Sequence, residues 1–199
     1  MTLKRGELHV WRVRLREQPR LEPTAGESAR AARFVTAPLR RRYLRSHSAL
    51  RDILGSLTSS RVDFALHEHG KPYLPGVPAL RFNLAHSGEM ALVAVALDVE
   101  VGVDVEHLRP LPGFAAVADR FFPPGYPPPR SARQFFQYWT RLEAILKAQG
   151  VGLYGAGAVI EGDWMVREID AGSRNYVAAV ATSDQSLEVQ IHDYGAEEE

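Results

Sequence analysis

Apolar residues recur along this chain with two periods, and the switches between them outline its elements. Over residues 8–15, Trp11, Val13 and Leu15 share one face, as a half-buried strand requires. The same alternation marks Val62, Phe64 and Leu66, then Leu80, Phe82 and Leu84 ahead of His86-Ser87-Gly88. Residues 90–97 form a continuous apolar run, the signature of a strand covered on both faces. In 101–106, Val101, Val103 and Val105 alternate with Gly102, Asp104 and Glu106, so a strand there puts two carboxylates side by side opposite a valine face. Asp98-Val99-Glu100 is short enough to be a hairpin turn, which predicts that 90–97 and 101–106 are antiparallel neighbours. Further strand signals fall at 164–169, 176–182 and 187–191.

Helical spacing fills the gaps. A short helix is predicted over 28–34, and a longer one from Pro38 to about Leu57 burying Tyr43, Leu50, Ile53, Leu54 and Leu57. Gly113 to Phe122 reads as a helix with Phe114, Ala118 and Phe121 on one side, and the proline-rich stretch 123–129 as a stiff surface loop. Ser131 and Gln134 match a capping box, Gly150 suits a helix stop, and Phe135, Trp139, Leu142 and Leu146 stripe the helix between them. Trp139, Glu143 and Lys147, spaced by four, share the adjacent stripe. Gly150, Gly152, Gly155 and Gly157 then give a flexible segment. Strand, helices, strands thus occurs twice. The predicted fold class is α+β, with duplicated, pseudo-two-fold halves (1–98 and 99–199), each an antiparallel sheet packed with helices.

Composition narrows the classes. The chain has 199 residues, 45% hydrophobic, enough for one large domain or two small ones. Lys+Arg and Asp+Glu are 24 each, so no net charge draws the chain to nucleic acid. The arginines nonetheless cluster: Arg30, Arg33, Arg40, Arg41, Arg42, Arg45 and Arg51 occupy 30–51 without an acid among them. The absence of cysteine excludes disulfides, thiolate catalysis and zinc-thiolate sites. No apolar run reaches the ~20 residues needed to cross a bilayer, and the start lacks a signal-peptide core, so a soluble cytoplasmic protein with no membrane partner is expected. Glu197–Glu199 make an acidic tail.

The candidate chemistry centres on Asp104 and Glu106. Adjacent buried acids need positive charge between them, and magnesium binds through one or two carboxylates plus substrate phosphates. The plain alternative, a solvated face on an amphipathic strand, is not displaced by an Asp-x-Glu spacing alone. His86 and Ser87 are predicted to lie near these acids. Glu143 and Lys147 could be no more than a surface ion pair, and His67 and His69, in a polar turn, read as solvated.

Four blocks in order change that balance: Gly70-Lys71-Pro72; Phe82 to Ser87; Val101 to Glu106; and Trp139-Thr140-Arg141-Leu142-Glu143-Ala144 followed by Lys147 and Gly150. Together they resemble the 4′-phosphopantetheinyl transferases, in particular the larger, pseudo-dimeric type that activates peptide and polyketide synthetases. The resemblance covers about residues 27–157. It implies transfer of the phosphopantetheine arm of coenzyme A to a serine of an acyl or peptidyl carrier protein, with release of adenosine 3′,5′-bisphosphate. It implies magnesium (manganese being the other candidate) on Asp104, Glu106 and Glu143. By the same resemblance Glu143 or a metal-bound water takes the serine proton, Lys147 balances phosphate charge, and Lys71, Pro72 and His86 hold the nucleotide. Arg51 and Arg30 would grip the 3′-phosphate. A monomer is expected, since one chain carries both halves. Arg120, Arg130, Arg133 and the proline loop are candidates for the carrier-protein rim.

Three positions depart from the family pattern: Leu142 where a lysine is usual, Ala85 where a serine is usual, and the proline loop where a glutamate commonly follows Phe121-Phe122. They keep a second reading open, a non-catalytic relative that binds coenzyme A or a carrier protein. A third, an unrelated metal-dependent phosphoesterase, would use Asp104 and Glu106 alone.

Overall fold

The structure is a computed structural model that describes residues 2–58, 62–151 and 160–195. The glycines at 152, 155 and 157 and the acidic tail lie outside the described residues. Two sheets stack face to face between two long helices. The first sheet has the order β4-β5-β1-β9, from β1 (Glu7–Arg14), β4 (Leu80–Ser87), β5 (Met90–Leu97) and β9 (Glu188–Asp193). The second has the order β6-β8-β7, from β6 (Val101–His107), β7 (Met165–Glu168) and β8 (Tyr176–Thr182). All pairs are antiparallel except β1 with β9. A two-residue ladder, β2 (Ala65–Leu66) on β3 (Pro72–Tyr73), brackets the Gly70-Lys71 turn. The helices are α1 (Ala25–Ala31), α2 (Ala37–Thr58), α3 (Phe114–Phe121) and α4 (Ala132–Gln149). None of the described helices is long and apolar enough to cross a membrane.

The apolar run in β5 reads directly as burial on two sides. Ala91, Val93 and Val95 face α2, packing with Leu50, Ile53, Leu54, Trp11, Val13 and Phe82. Met90, Leu92, Ala94 and Ala96 face the second sheet and meet Val101, Val103, Val105 and Val180. The far side of that sheet packs Ala179 and Ala181 under Ala144, Ile145 and Ala148 of α4. The predicted mixed α+β class with helix-packed antiparallel sheets is what the chain adopts.

Three expectations change. β5 and β6 are not hairpin partners: β5 pairs with β4 and β1, and β6 pairs with β8. Asp98, left-handed at φ 57°, turns the chain out of the first sheet, and Asp98 N–H is held by the Ala79 carbonyl at 2.7 Å. A short link can reverse a strand in plane or step it to the next layer. Here β1, distant in sequence, already occupies the free edge of β5. The valine stripe of β6 therefore lies over β5 instead of beside it. Second, the short helix is α1 at 25–31, started by a reciprocal cap in which Thr24 Oγ1 accepts from Glu27 N and Glu27 returns a carboxylate to Thr24 N. Third, only Ala65–Leu66 of the 62–66 stretch is strand, and Leu66 stands exposed. The Ser131 cap forms as expected toward Gln134 N, while the Gln134 side chain serves Arg130 N instead.

β9 also crosses back to lie beside β1, so sheet membership does not divide at residue 98 along the whole chain.

Candidate functional site

The edge strands β4 and β6 adjoin where the two sheets meet. Val103 N–H points away from its β8 partner and is taken by Asn83 Oδ1 of β4 at 2.9 Å. Four residues further along β4, Ser87 Oγ donates to Glu106 Oε2 at 2.9 Å and accepts from His107 N at 3.1 Å. The predicted meeting therefore occurs for Ser87 and Glu106, through the stacking of layers and not through a hairpin.

Asp104 and Glu106 face α4. That helix sits directly on β6 because Gly102 has no side chain: a Cβ there would collide with the backbone of Ala144 and Ala148. The gap left by Gly102 thus accommodates the helix backbone. The close approach brings Lys147 Nζ to Asp104 Oδ1 at 2.6 Å. Asp104 is only 6% exposed, and its other oxygen is buried without a partner. Burial pushes the Asp104 carboxyl up to about 7; Lys147 offsets this in part, and Glu143 and Glu106 add to it. Glu143 is likewise raised, first by burial, with Lys147 opposing and Glu106 reinforcing. The three acids, distant in sequence, therefore lie in one another's field. Among the described residues no group of three His, Asp or Glu side chains is arranged around a common metal position.

Beyond Lys147 opens a cavity of about 770 Å³ that crosses from α4 over β4 to α1 and α2. Arg30, Arg51, Pro72, His86 and Lys147 all lie on its wall. His86 stands exposed on the wall, and its pKa is lowered from the ordinary histidine value by partial loss of hydration, then by Lys147 and Arg42. Arg51 is on the wall but engaged: its Nε donates to Glu27 Oε1 at 2.9 Å and its Nη2 to the Glu22 carbonyl at 2.6 Å. Arg30 is exposed and makes no ion pair among the described residues, so it is the cation more available to an anion. Lys71 is not on the wall. Its ammonium turns to Glu100, Val101 and Ala148, and only the neighbouring Gly70 and Pro72 border the cavity.

His47 was not anticipated. It lines the cavity one turn before Arg51, and an i, i+4 reading of α2 from Arg51 would have found it. Its Nδ1 lies 2.9 Å from the Tyr43 carbonyl, and burial lowers its pKa. Glu27 and Asn83 were missed because nothing local marks their distant partners. Of the proposed carrier-protein rim, Arg120 lies over Phe121 and Arg133 reaches the Arg174 carbonyl. The proline loop is pinned by Phe122, which stacks on Phe135 at 5.5 Å and contacts Tyr126.

Residues 100–193 match the family model of the 4′-phosphopantetheinyl transferase superfamily. The chain is 38% identical over 173 residues to 4′-phosphopantetheinyl transferase HetI of Nostoc sp., covering 77% of this chain and 73% of that protein. The chain belongs to this superfamily. It is 30% identical over 152 residues to a 4′-phosphopantetheinyl transferase of Bacillus subtilis, spanning 65% of this chain and 66% of the relative. It is 29% identical over 150 residues to 4′-phosphopantetheinyl transferase Sfp of the same species, spanning 64% and 65%. Membership in a family of transferases makes this chain an enzyme.

Proposed function

We propose that this transferase moves the 4′-phosphopantetheine arm of coenzyme A onto a serine hydroxyl of an acyl or peptidyl carrier protein. The serine oxygen bonds to the pantetheine-side phosphorus. The bond from that phosphorus to the bridging oxygen breaks, and adenosine 3′,5′-bisphosphate leaves with the electron pair. One observation carries the reading: a cavity with Arg30, Arg51 and Lys147 on its wall ends at the buried Lys147–Asp104 pair, where Glu106 and Glu143 act on the same carboxyl.

The residues divide the work by position. Arg30, with Arg51 behind it, suits the 3′-phosphate, and Pro72 and His86 suit the nucleotide. Lys147 stands between cavity and acids, able to exchange Asp104 for a ligand's pyrophosphate. Glu143, its proton affinity raised by burial, is suited to take the serine proton as the new bond forms. The partnerless oxygen of Asp104 and the mutual repulsion of the acids fit a hard divalent cation. Asp104, Glu106 and Glu143 share no ready-made metal position, so they would have to close on magnesium, or manganese, which held there would supply charge neutralisation at the diphosphate. One chain contributes cavity and acids alike, which supports a monomer. The pairing of each sheet with one long helix supports a duplicated origin of the 1–98 and 99–199 halves.

Apo carrier proteins incubated with coenzyme A, with and without chelator, and weighed by mass spectrometry test the reading. A gain of the arm's mass that needs coenzyme A and metal is expected, and folded Asp104→Ala and Glu143→Ala variants should lose it. Full activity in either variant refutes the assignment. Leu142, fully buried where a lysine is usual, favours one second reading, nucleotide binding without transfer. Calorimetric binding of coenzyme A with no carrier modified would establish it.

A further inference from the structure

Lys71 sits in the turn between β2 and β3, yet its side chain serves the opposite half of the chain. Its Nζ lies 2.7 Å from Glu100 Oε2, 2.8 Å from the Ala148 carbonyl and 3.3 Å from the Val101 carbonyl. An ammonium has three donors, and these three oxygens account for all of them. The side chain is 10% exposed, and the counter-charge, Glu100, is itself steadied by Arg81 at 3.3 Å. Nothing remains to meet a phosphate.

The bond to Ala148 completes a helix end. The last carbonyls of a helix lack partners within it. In α4, Gly150 N–H serves Leu146 and Lys147, and Val151 N–H serves Leu146. The Ala148 carbonyl falls to Lys71, whose charge also complements the negative end of the helix. Ala148 follows Lys147 directly, and Val101 lies three residues before Asp104. Lys71 thus grips α4 and β6 at the point where Gly102 lets them touch, beside the Lys147–Asp104 pair.

We propose that Lys71 is a positioning residue: it fixes the seating of α4 on β6, and so the placement of Lys147 and Glu143, without touching the nucleotide. The catalytic arm of this inference rests on the transferase reading; the binding and exchange arms do not. Lys71→Met keeps the stem and removes the donors. The variant should bind adenosine 3′,5′-bisphosphate within about twofold of wild type by calorimetry. Amide hydrogen exchange at 147–151 should speed up at least tenfold, and kcat should fall at least tenfold with KM for coenzyme A within about twofold. Glu100→Gln, which keeps an acceptor but loses the counter-charge, should shift exchange and kcat the same way by less. Nucleotide binding weakened tenfold or more with kcat unchanged would make Lys71 a ligand contact and overturn the proposal. Unchanged exchange at 147–151 in both variants would overturn it as well. If wild type modifies no carrier protein, the transferase reading fails, while the calorimetry and exchange still decide the place of Lys71.

Discussion

Replacing Gly102 by alanine is the sharpest test of how this site is assembled. The new Cβ would stand 2.5 Å from Ala148 N and closer still to the Ala144 carbonyl oxygen. Ordinary contact lies near 3.5 Å, so relieving the nearer clash, with the Ala144 carbonyl oxygen, takes a retreat of α4 by about 1.5 Å. Both obstructing atoms are backbone in a helix packed on β8, so no side chain can swing aside. Overpacking of this kind costs about 1–3 kcal/mol, and obstruction by backbone places it at about 3. For a chain of this size that corresponds to a loss of about 6–12 °C in melting temperature. Because α4 carries Glu143 and Lys147, a shift of that size should also cut kcat by about 10²-fold or more. Urea titration gives the first number, and single-turnover labelling of a carrier protein gives the second. An alanine variant with wild-type midpoint and wild-type turnover would refute the claim that helix–strand contact at Gly102 sets the site.

Other outcomes follow from the same geometry. The Asp104 carboxyl is raised by burial to about 7, so the folded state binds a proton that the unfolded chain releases near 4. Stability of the metal-free protein should then fall as pH climbs from about 4 to 7, by at most about 1.4 kcal/mol per pH unit. Asp104→Asn should flatten that slope, and identical slopes for the two proteins would contradict the assignment. Asn83→Ala leaves Val103 N–H buried without its acceptor and should cost about 1–3 kcal/mol in urea unfolding; an unchanged midpoint would mean that another acceptor serves the strand edge. Leu142 is fully buried, so Leu142→Lys should destabilise by about 3 kcal/mol or more. A stable, more active Leu142→Lys variant would show instead that the new ammonium reaches the cavity.

The boundary between what sequence alone settled and what it left open follows the range of the interactions involved. Strand faces and helix stripes were legible because burial imposes period 2 or 3.6 on neighbouring residues. Trp11 and Val13, the double-sided 90–97 run and the Leu50–Leu54 patch all pack as their spacing required. The acids and Lys147 were legible too, as residue types in an ordered set of motifs. Sequence did not reveal which strand edges meet. A three-residue link at 98–100 fits a hairpin and a step between layers equally well, and the choice depended on β1, which arrives from far upstream. Nor could spacing show that Lys71 turns from the cavity to the end of α4, or that Glu27 holds Arg51. Those pairings join residues 24 to 77 positions apart. Only the close stacking of two sheets and two helices brings such charges within reach and decides which of them remain available to a ligand.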